Sequence, residues 1–154
     1  MKHLLIVYHT KTGNTGQLAQ AALRGARHPD LAETVEVREL RARDANADDL
    51  RWANGLLLGT PENFGYMSGA LKDFFDRTFY EVEGRIQPLP YGIFISAGND
   101  GRGAVTAIQR IGNGYPFTLV QEPVIARGDI GAAELDACEQ LGLALAAGLD
   151  AGIY

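Results

Sequence analysis

Three segments of the chain concentrate groups suited to holding a ligand. The first is His9-Thr10-Lys11-Thr12-Gly13-Asn14-Thr15-Gly16, which leads directly into an amphipathic stretch. It offers three threonine hydroxyls, an asparagine amide and a glycine. Hydroxyls and backbone N–H groups at the start of a helix suit a phosphate monoester, because the helix dipole and the unpaired donors both favour negative charge. Asn14 or Thr15 would also serve as a plain helix cap. A cap uses one such residue, whereas four surround a glycine here. His9 opens the segment as a neutral hydrogen-bonding group or as a solvated side chain.

The second segment is Gly59-Thr60-Pro61-Glu62-Asn63-Phe64-Gly65-Tyr66-Met67-Ser68-Gly69. Its two aromatics, amide and carboxylate are able to wall a planar ring and bond its edge. It reads equally as a surface loop whose aromatics pack on the fold. The third is Ser96-Ala97-Gly98-Asn99-Asp100-Gly101-Arg102-Gly103. Its glycines let backbone amides face a ligand without side-chain obstruction, although by itself it reads as a flexible turn. Of the chain's 19 glycines, those at 13, 16, 59, 65, 69, 98, 101 and 103 lie in these three segments.

Short apolar runs alternate with longer amphipathic stretches, and this alternation must position the three segments. The pattern predicts strands at His3–Tyr8, Thr34–Arg38, Gly55–Gly59, Tyr91–Ser96 and Thr118–Ala126, the last despite Pro123. It predicts helices at Thr15–Arg27, Asn46–Trp52, Gly69–Tyr80, Gly103–Ile111 and Gly131–Ala147. Alternating strands and helices imply an α/β fold, a three-layer, doubly wound, five-stranded parallel sheet with helices on both faces. Right-handed crossovers and the common strand order 2-1-3-4-5 put ligands beyond the carboxyl ends of strands 1, 3 and 4. All three segments fall there. No linker, repeat or low-complexity stretch divides the chain, so residues 1–154 read as one domain.

This conjunction resembles the flavodoxin-like superfamily. Thr10-Lys11-Thr12-Gly13-Asn14-Thr15 is similar to its T-x-T-G-x-T loop for the phosphate of flavin mononucleotide (FMN). Thr60-Pro61-Glu62-Asn63-Phe64-Gly65 through Ser68-Gly69-Ala70-Leu71-Lys72-Asp73 is similar to the T-P-E-Y-N to G-A-L-K-N stretch of NADPH-dependent FMN reductases. The third segment looks like the superfamily's lining of the pyrimidine side of the ring. The resemblance covers essentially the whole chain and implies FMN as cofactor. It assigns Thr10, Thr12, Asn14 and Thr15 to the phosphate, and the loop position of Lys11 suits it to balance the phosphate charge. It implies Pro61 to Tyr66 and Ser96 to Gly101 around the isoalloxazine. Glu62 and Asn63 are expected at the ring edge or a substrate. The N–H groups from Asn99 to Gly101 are expected where negative charge develops, an oxyanion-type role. Phe64 or Tyr66 replaces the stacking tryptophan of many flavodoxins, because Trp52 lies in the helix before strand 3 and reads as core.

The resemblance implies an NAD(P)H-dependent oxidoreductase that passes electrons through FMN to a quinone, a flavin or another small acceptor. The flavin carries that chemistry and no side chain acts as acid or base. A flavodoxin-type electron carrier docking on a protein redox partner is the alternative. The acidic second half speaks for docking: residues 1–77 carry 10 basic and 10 acidic residues, residues 78–154 carry 4 and 9. Reductases of this type often dimerise across the flavin site, so a homodimer is an expectation.

Other chemistries lack their residues. A receiver domain of the same strand order needs an acidic pair after strand 1 and an aspartate after strand 3, where this chain has Tyr8-His9 and Thr60. A phosphatase loop needs cysteine and arginine, yet the single Cys138 sits at apolar helical spacing. No Walker motif exists, and the three histidines are too dispersed for a metal site. The net charge of −5 has no basic stripe to meet nucleic acid. No apolar run approaches the ~20 residues of a membrane span. One cysteine excludes an internal disulfide and suits a reducing, cytoplasmic setting.

Overall fold

The computed structural model describes residues 1–154. Six strands, β1 (Lys2–Tyr8), β2 (Val35–Arg41), β3 (Gly55–Pro61), β4 (Leu89–Ala97), β5 (Phe117–Leu119) and β6 (Val124–Arg127), form one sheet. The helices are α1 (Asn14–Ala26), α2 (Ala47–Trp52), α3 (Gly69–Val82), α4 (Arg102–Gly114) and α5 (Ala132–Asp150). The strand order is β2-β1-β3-β4-β5, with β6 also on β4, and every pairing is parallel. A parallel sheet needs both faces covered, and the central strands accordingly read as continuous apolar runs.

The strand period of two sorts those runs between two cores. Leu5, Val7, Leu56, Leu58, Ile93 and Ile95 face α2, α3 and α4, in a cluster with Phe74 and Phe75. Leu4, Ile6, Leu57 and Phe94 face α1 and α5, in a cluster with Leu18, Ala22 and Leu145. Each such side chain, wholly removed from water, contributes about 1.5–3 kcal/mol. Helices α1 and α5 meet backbone to backbone. A Cβ at Gly142 would collide with the Ala22 carbonyl, and one at Gly25 with the Glu139 carbonyl. Only glycine fits at either place.

Two expected strands change. The fifth is not one run over Thr118–Ala126. It starts at Phe117 and divides into β5, paired with Leu89–Tyr91, and β6, paired with Phe94–Ala97. Pro123 stands in the break, where it has no N–H to give a neighbouring strand. Strand β2 runs beyond Arg38 to Arg41, in register with the whole of β1. Its last residues, Glu39 to Arg41, are half-buried on an edge, so apolar alternation is no guide to them. Trp52 is half-buried rather than core. It stacks on His3 with centroids 4.3 Å apart and lies under the Arg38 guanidinium at 4.0 Å. It precedes β3, at the sheet edge opposite the three segments.

Candidate functional site

The segments after β1, β3 and β4 converge on the carboxyl edge of the sheet. The first loop leaves β1 with the His9 N–H bonded to the Gly59 carbonyl (3.1 Å). It enters α1 through Gly13, whose φ of 107° is left-handed. Glycine adopts that conformation without a Cβ penalty. The turn is closed by Thr10, whose Oγ1 accepts the Gly13 N–H (3.2 Å). The capping reading of Asn14 or Thr15 therefore fails. Gly13 is the N-cap, with no side-chain cap bond, and Asn14 already belongs to the helix. The Thr15 hydroxyl points elsewhere: it is buried and shares a 2.7 Å hydrogen bond with Ser96 Oγ. The N–H groups of Asn14, Thr15 and Gly16 find no acceptor within the chain. The start of a helix leaves such donors over, to be met by a cap, by water or by a ligand. Around them, Lys11 and Thr12 are exposed and His9 is half-buried. Burial, then the charges of Arg41, Arg43 and Lys11, hold the His9 pKa below its ordinary value.

The second loop is a tight hairpin. Asn63 and Tyr66 exchange two backbone hydrogen bonds of 2.9 Å across Phe64 and Gly65. Both central residues have positive φ, 52° and 73°, as a type I′ turn requires. A bulky residue there is a genuine outlier, and the turn leaves the Phe64 ring fully exposed, with Tyr66 41% exposed. At its base the buried Thr60 Oγ1 accepts the Ser68 N–H (2.9 Å), and Ser68 caps α3 by accepting the Leu71 N–H (3.2 Å).

Glu62 has a different place from the expected one. Its carboxylate reaches into the third loop and caps α4. Oε1 accepts the Gly101 N–H (3.0 Å), while Oε2 accepts those of Gly103 (3.1 Å) and Ala104 (3.3 Å). A negative charge at a helix N-terminus answers both the dipole and the orphan donors. Gly101, like Gly13, is a left-handed N-cap, with φ 86°. Of the helices that start at the site, α3 is capped by Ser68 and α4 has its donors taken by Glu62, while α1 has neither kind of cap. The third loop is also committed otherwise than expected. The Asp100 N–H bonds to Asn99 Oδ1 (2.7 Å) and that of Gly101 to Glu62, which leaves the N–H groups of Gly98 and Asn99 free of chain acceptors. Asp100 pairs with Arg102 at 2.7 Å, which holds its carboxyl below the usual range. The hairpin seats directly on α4, where a Cβ at Gly103 would strike the Gly65 carbonyl.

Arg41 carries no motif that singles it out in the sequence. It ends β2 beside the first loop, where its Nη2 donates to the Thr10 carbonyl at 2.8 Å. The signal was the missed extension of β2, which carries this arginine to the carboxyl edge. Cys138 is buried in the α5 core with its thiol pushed up to about 12, the condition of an inert small hydrophobe. No three metal-ligating side chains come together, and no helix is long and apolar enough to cross a membrane.

A doubly wound parallel sheet with a switch point between β1 and β3 defines an α/β class whose ligands sit beyond the carboxyl ends of the strands, where the open start of α1 lies. Residues 1–126 match the family model described as NADPH-dependent FMN reductase, and the chain belongs to that family. The description of that family names NADPH and FMN. A flavodoxin of Aquifex aeolicus is 33% identical over 95% of this chain and 86% of its own length. An NAD(P)H dehydrogenase (quinone) of Acidithiobacillus ferrooxidans is 30% identical over 70% of this chain, which covers 63% of that protein. Among solved structures, a flavodoxin from the domain Archaea superposes with TM-score 0.82 over 96% of this chain and 98% of its own, at 21% identity. That likeness establishes the flavodoxin-like fold.

Proposed function

We propose that the open N-terminus of α1 receives the FMN phosphate and that the protein reduces a small acceptor, a quinone or a flavin, at the expense of NAD(P)H. The observation that carries this reading is the contrast between the starts of α4 and α1. The chain satisfies α4 with its own carboxylate and leaves three adjacent donors of α1 unpaired behind a left-handed glycine. A phosphate dianion matches that donor set and the cationic side chains beside it. The family membership and the quinone dehydrogenase relative supply the reaction class.

When bound, FMN supplies the hydride chemistry, and the chain binds, orients and shields it. The N–H groups of Asn14, Thr15 and Gly16, with the Thr10 and Thr12 hydroxyls and Lys11, hold the phosphate. The Phe64–Tyr66 hairpin presents its exposed aromatics beside the ring and its acceptor. The free N–H groups of Gly98 and Asn99 serve the pyrimidine side, where negative charge grows on reduction. Glu62, Thr15 and Ser96 are positioning residues: Glu62 ties the second loop to the third, and the Thr15–Ser96 bond ties the first to β4.

The second reading is an electron carrier for a protein partner, which the flavodoxin relative favours. Anaerobic mixing of the FMN-loaded protein with NADPH or NADH, followed by a soluble quinone, separates the two. The enzyme bleaches within seconds and regains its colour with quinone. A carrier keeps its flavin colour in nicotinamide and loses it only to a reduced protein partner. A chain that takes up no added FMN contradicts both.

A further inference from the structure

Arg41 is fixed to the first loop at a cost to the fold. Its Nη2 is bonded to the Thr10 carbonyl and its guanidinium lies 5.5 Å from the Tyr8 ring. Its Nε is buried without any partner, the one side-chain nitrogen or oxygen in the molecule in that condition. An unsatisfied buried donor destabilises, and a methionine of similar length would fill the same space without one. No carboxylate neutralises the guanidinium. Arg38, Arg51, Arg77 and Arg102 each hold an aspartate at 2.6–2.8 Å, whereas Glu39, two residues before Arg41 on the same strand, is bonded to Gln20 (2.8 Å). The guanidinium therefore has no ion-pair partner beside the first loop, where it also helps to hold the His9 pKa down.

We infer that Arg41 is the residue that makes the site selective for a phosphorylated flavin: it clamps the first loop through Thr10 and places a full positive charge behind the open start of α1. The inference rests on the phosphate reading of that loop. Arg41 acts through the loop and is a positioning residue. Lysine at this place would keep the charge and lose the planar fork that holds the Thr10 carbonyl and rests on Tyr8.

Riboflavin is FMN without the phosphate, so the two ligands isolate the effect. Flavin-fluorescence titrations of wild type, Arg41→Met and Arg41→Lys with each ligand, at low and high salt, give the ratio of the two dissociation constants. Wild type prefers FMN. Arg41→Met loses at least tenfold of that preference, binds riboflavin within twofold of wild type and shows a flatter salt dependence for FMN. Arg41→Lys recovers part of the preference. An unchanged ratio in both variants overturns the inference, and so does an equal loss of both ligands, which is the mark of a merely structural arginine. A wild type without preference for FMN removes the phosphate reading itself. A preference kept in wild type and in Arg41→Met removes only the role of Arg41.

Discussion

Glu62 connects the second loop to the third, and removing its carboxylate tests how the site is held. Glu62→Ala deprives three N–H groups at the start of α4 of their acceptor. Hydrogen bonds to a charged group are worth about 1.5–3 kcal/mol each when nothing replaces them. Glu62 is only half-buried, so water takes over most of the loss. What remains is a lost cap, about 1 kcal/mol, and a lost anion at the helix dipole, up to about 1 kcal/mol. The sum is about 2 kcal/mol. Glu62→Gln keeps one acceptor oxygen and should cost about 1 kcal/mol by the same reasoning. In a chain of this length, 2 kcal/mol lowers the thermal midpoint by roughly 4–8 °C. Urea denaturation measures the free energy. Hydrogen exchange measures its location, with the amides of Gly101, Gly103 and Ala104 exchanging faster and the α5 core unchanged. A Glu62→Ala protein within about 0.5 kcal/mol of wild type, the range of a neutral surface change, refutes the bridging role.

Three further outcomes follow from the same structure. Gly142→Ala gains about 1 kcal/mol of helix propensity but drives a methyl into the Ala22 carbonyl, and overpacking against backbone should leave a net loss of about 2 kcal/mol in urea titration; a stabilised variant contradicts the backbone contact. His9 has its pKa below the ordinary 6.5, so the unfolded chain binds the proton first and stability falls as the pH drops through 6.5 towards the folded value. His9→Gln should remove that component of the acid sensitivity, and NMR titration should show the His9 pKa rising when FMN, but not riboflavin, is added. Cys138, with its thiol near 12 and no exposure, should stay unmodified by a thiol reagent in native protein at pH 8 and react fully in urea.

Much of this architecture is legible in the chain. Wherever a strand is buried on both faces, as in Leu4 to Tyr8, Gly55 to Gly59 and Tyr91 to Ser96, the apolar run announces it, and the order 2-1-3-4-5 then brings three unusual loops to one edge. Legibility ends where polar contacts decide. The edge strand β2 carries Glu39 and Arg41 on half-buried positions, so its end, and with it the arginine of the first loop, is invisible to hydropathy. Pro123 marks the break between β5 and β6, yet nothing local shows that both halves would return to β4. The residue types around the site identify the ligand class but not the division of labour. Thr15 and Glu62 look like ligand contacts in sequence, and the fold turns both inward as ties, because a hydroxyl at 15 lies against Ser96 and a carboxylate at 62 lies under an open helix end.

In the proposed function, the N–H groups of Asn14, Thr15 and Gly16 donate to the FMN phosphate. The most direct measurement is an amide proton–nitrogen NMR titration of the protein with FMN and with riboflavin. FMN should move those three amide protons strongly downfield, as charge-assisted hydrogen bonds do, while riboflavin leaves them in place and perturbs only the second and third loops. Amides 14–16 that respond alike to both ligands, or to neither, contradict the account.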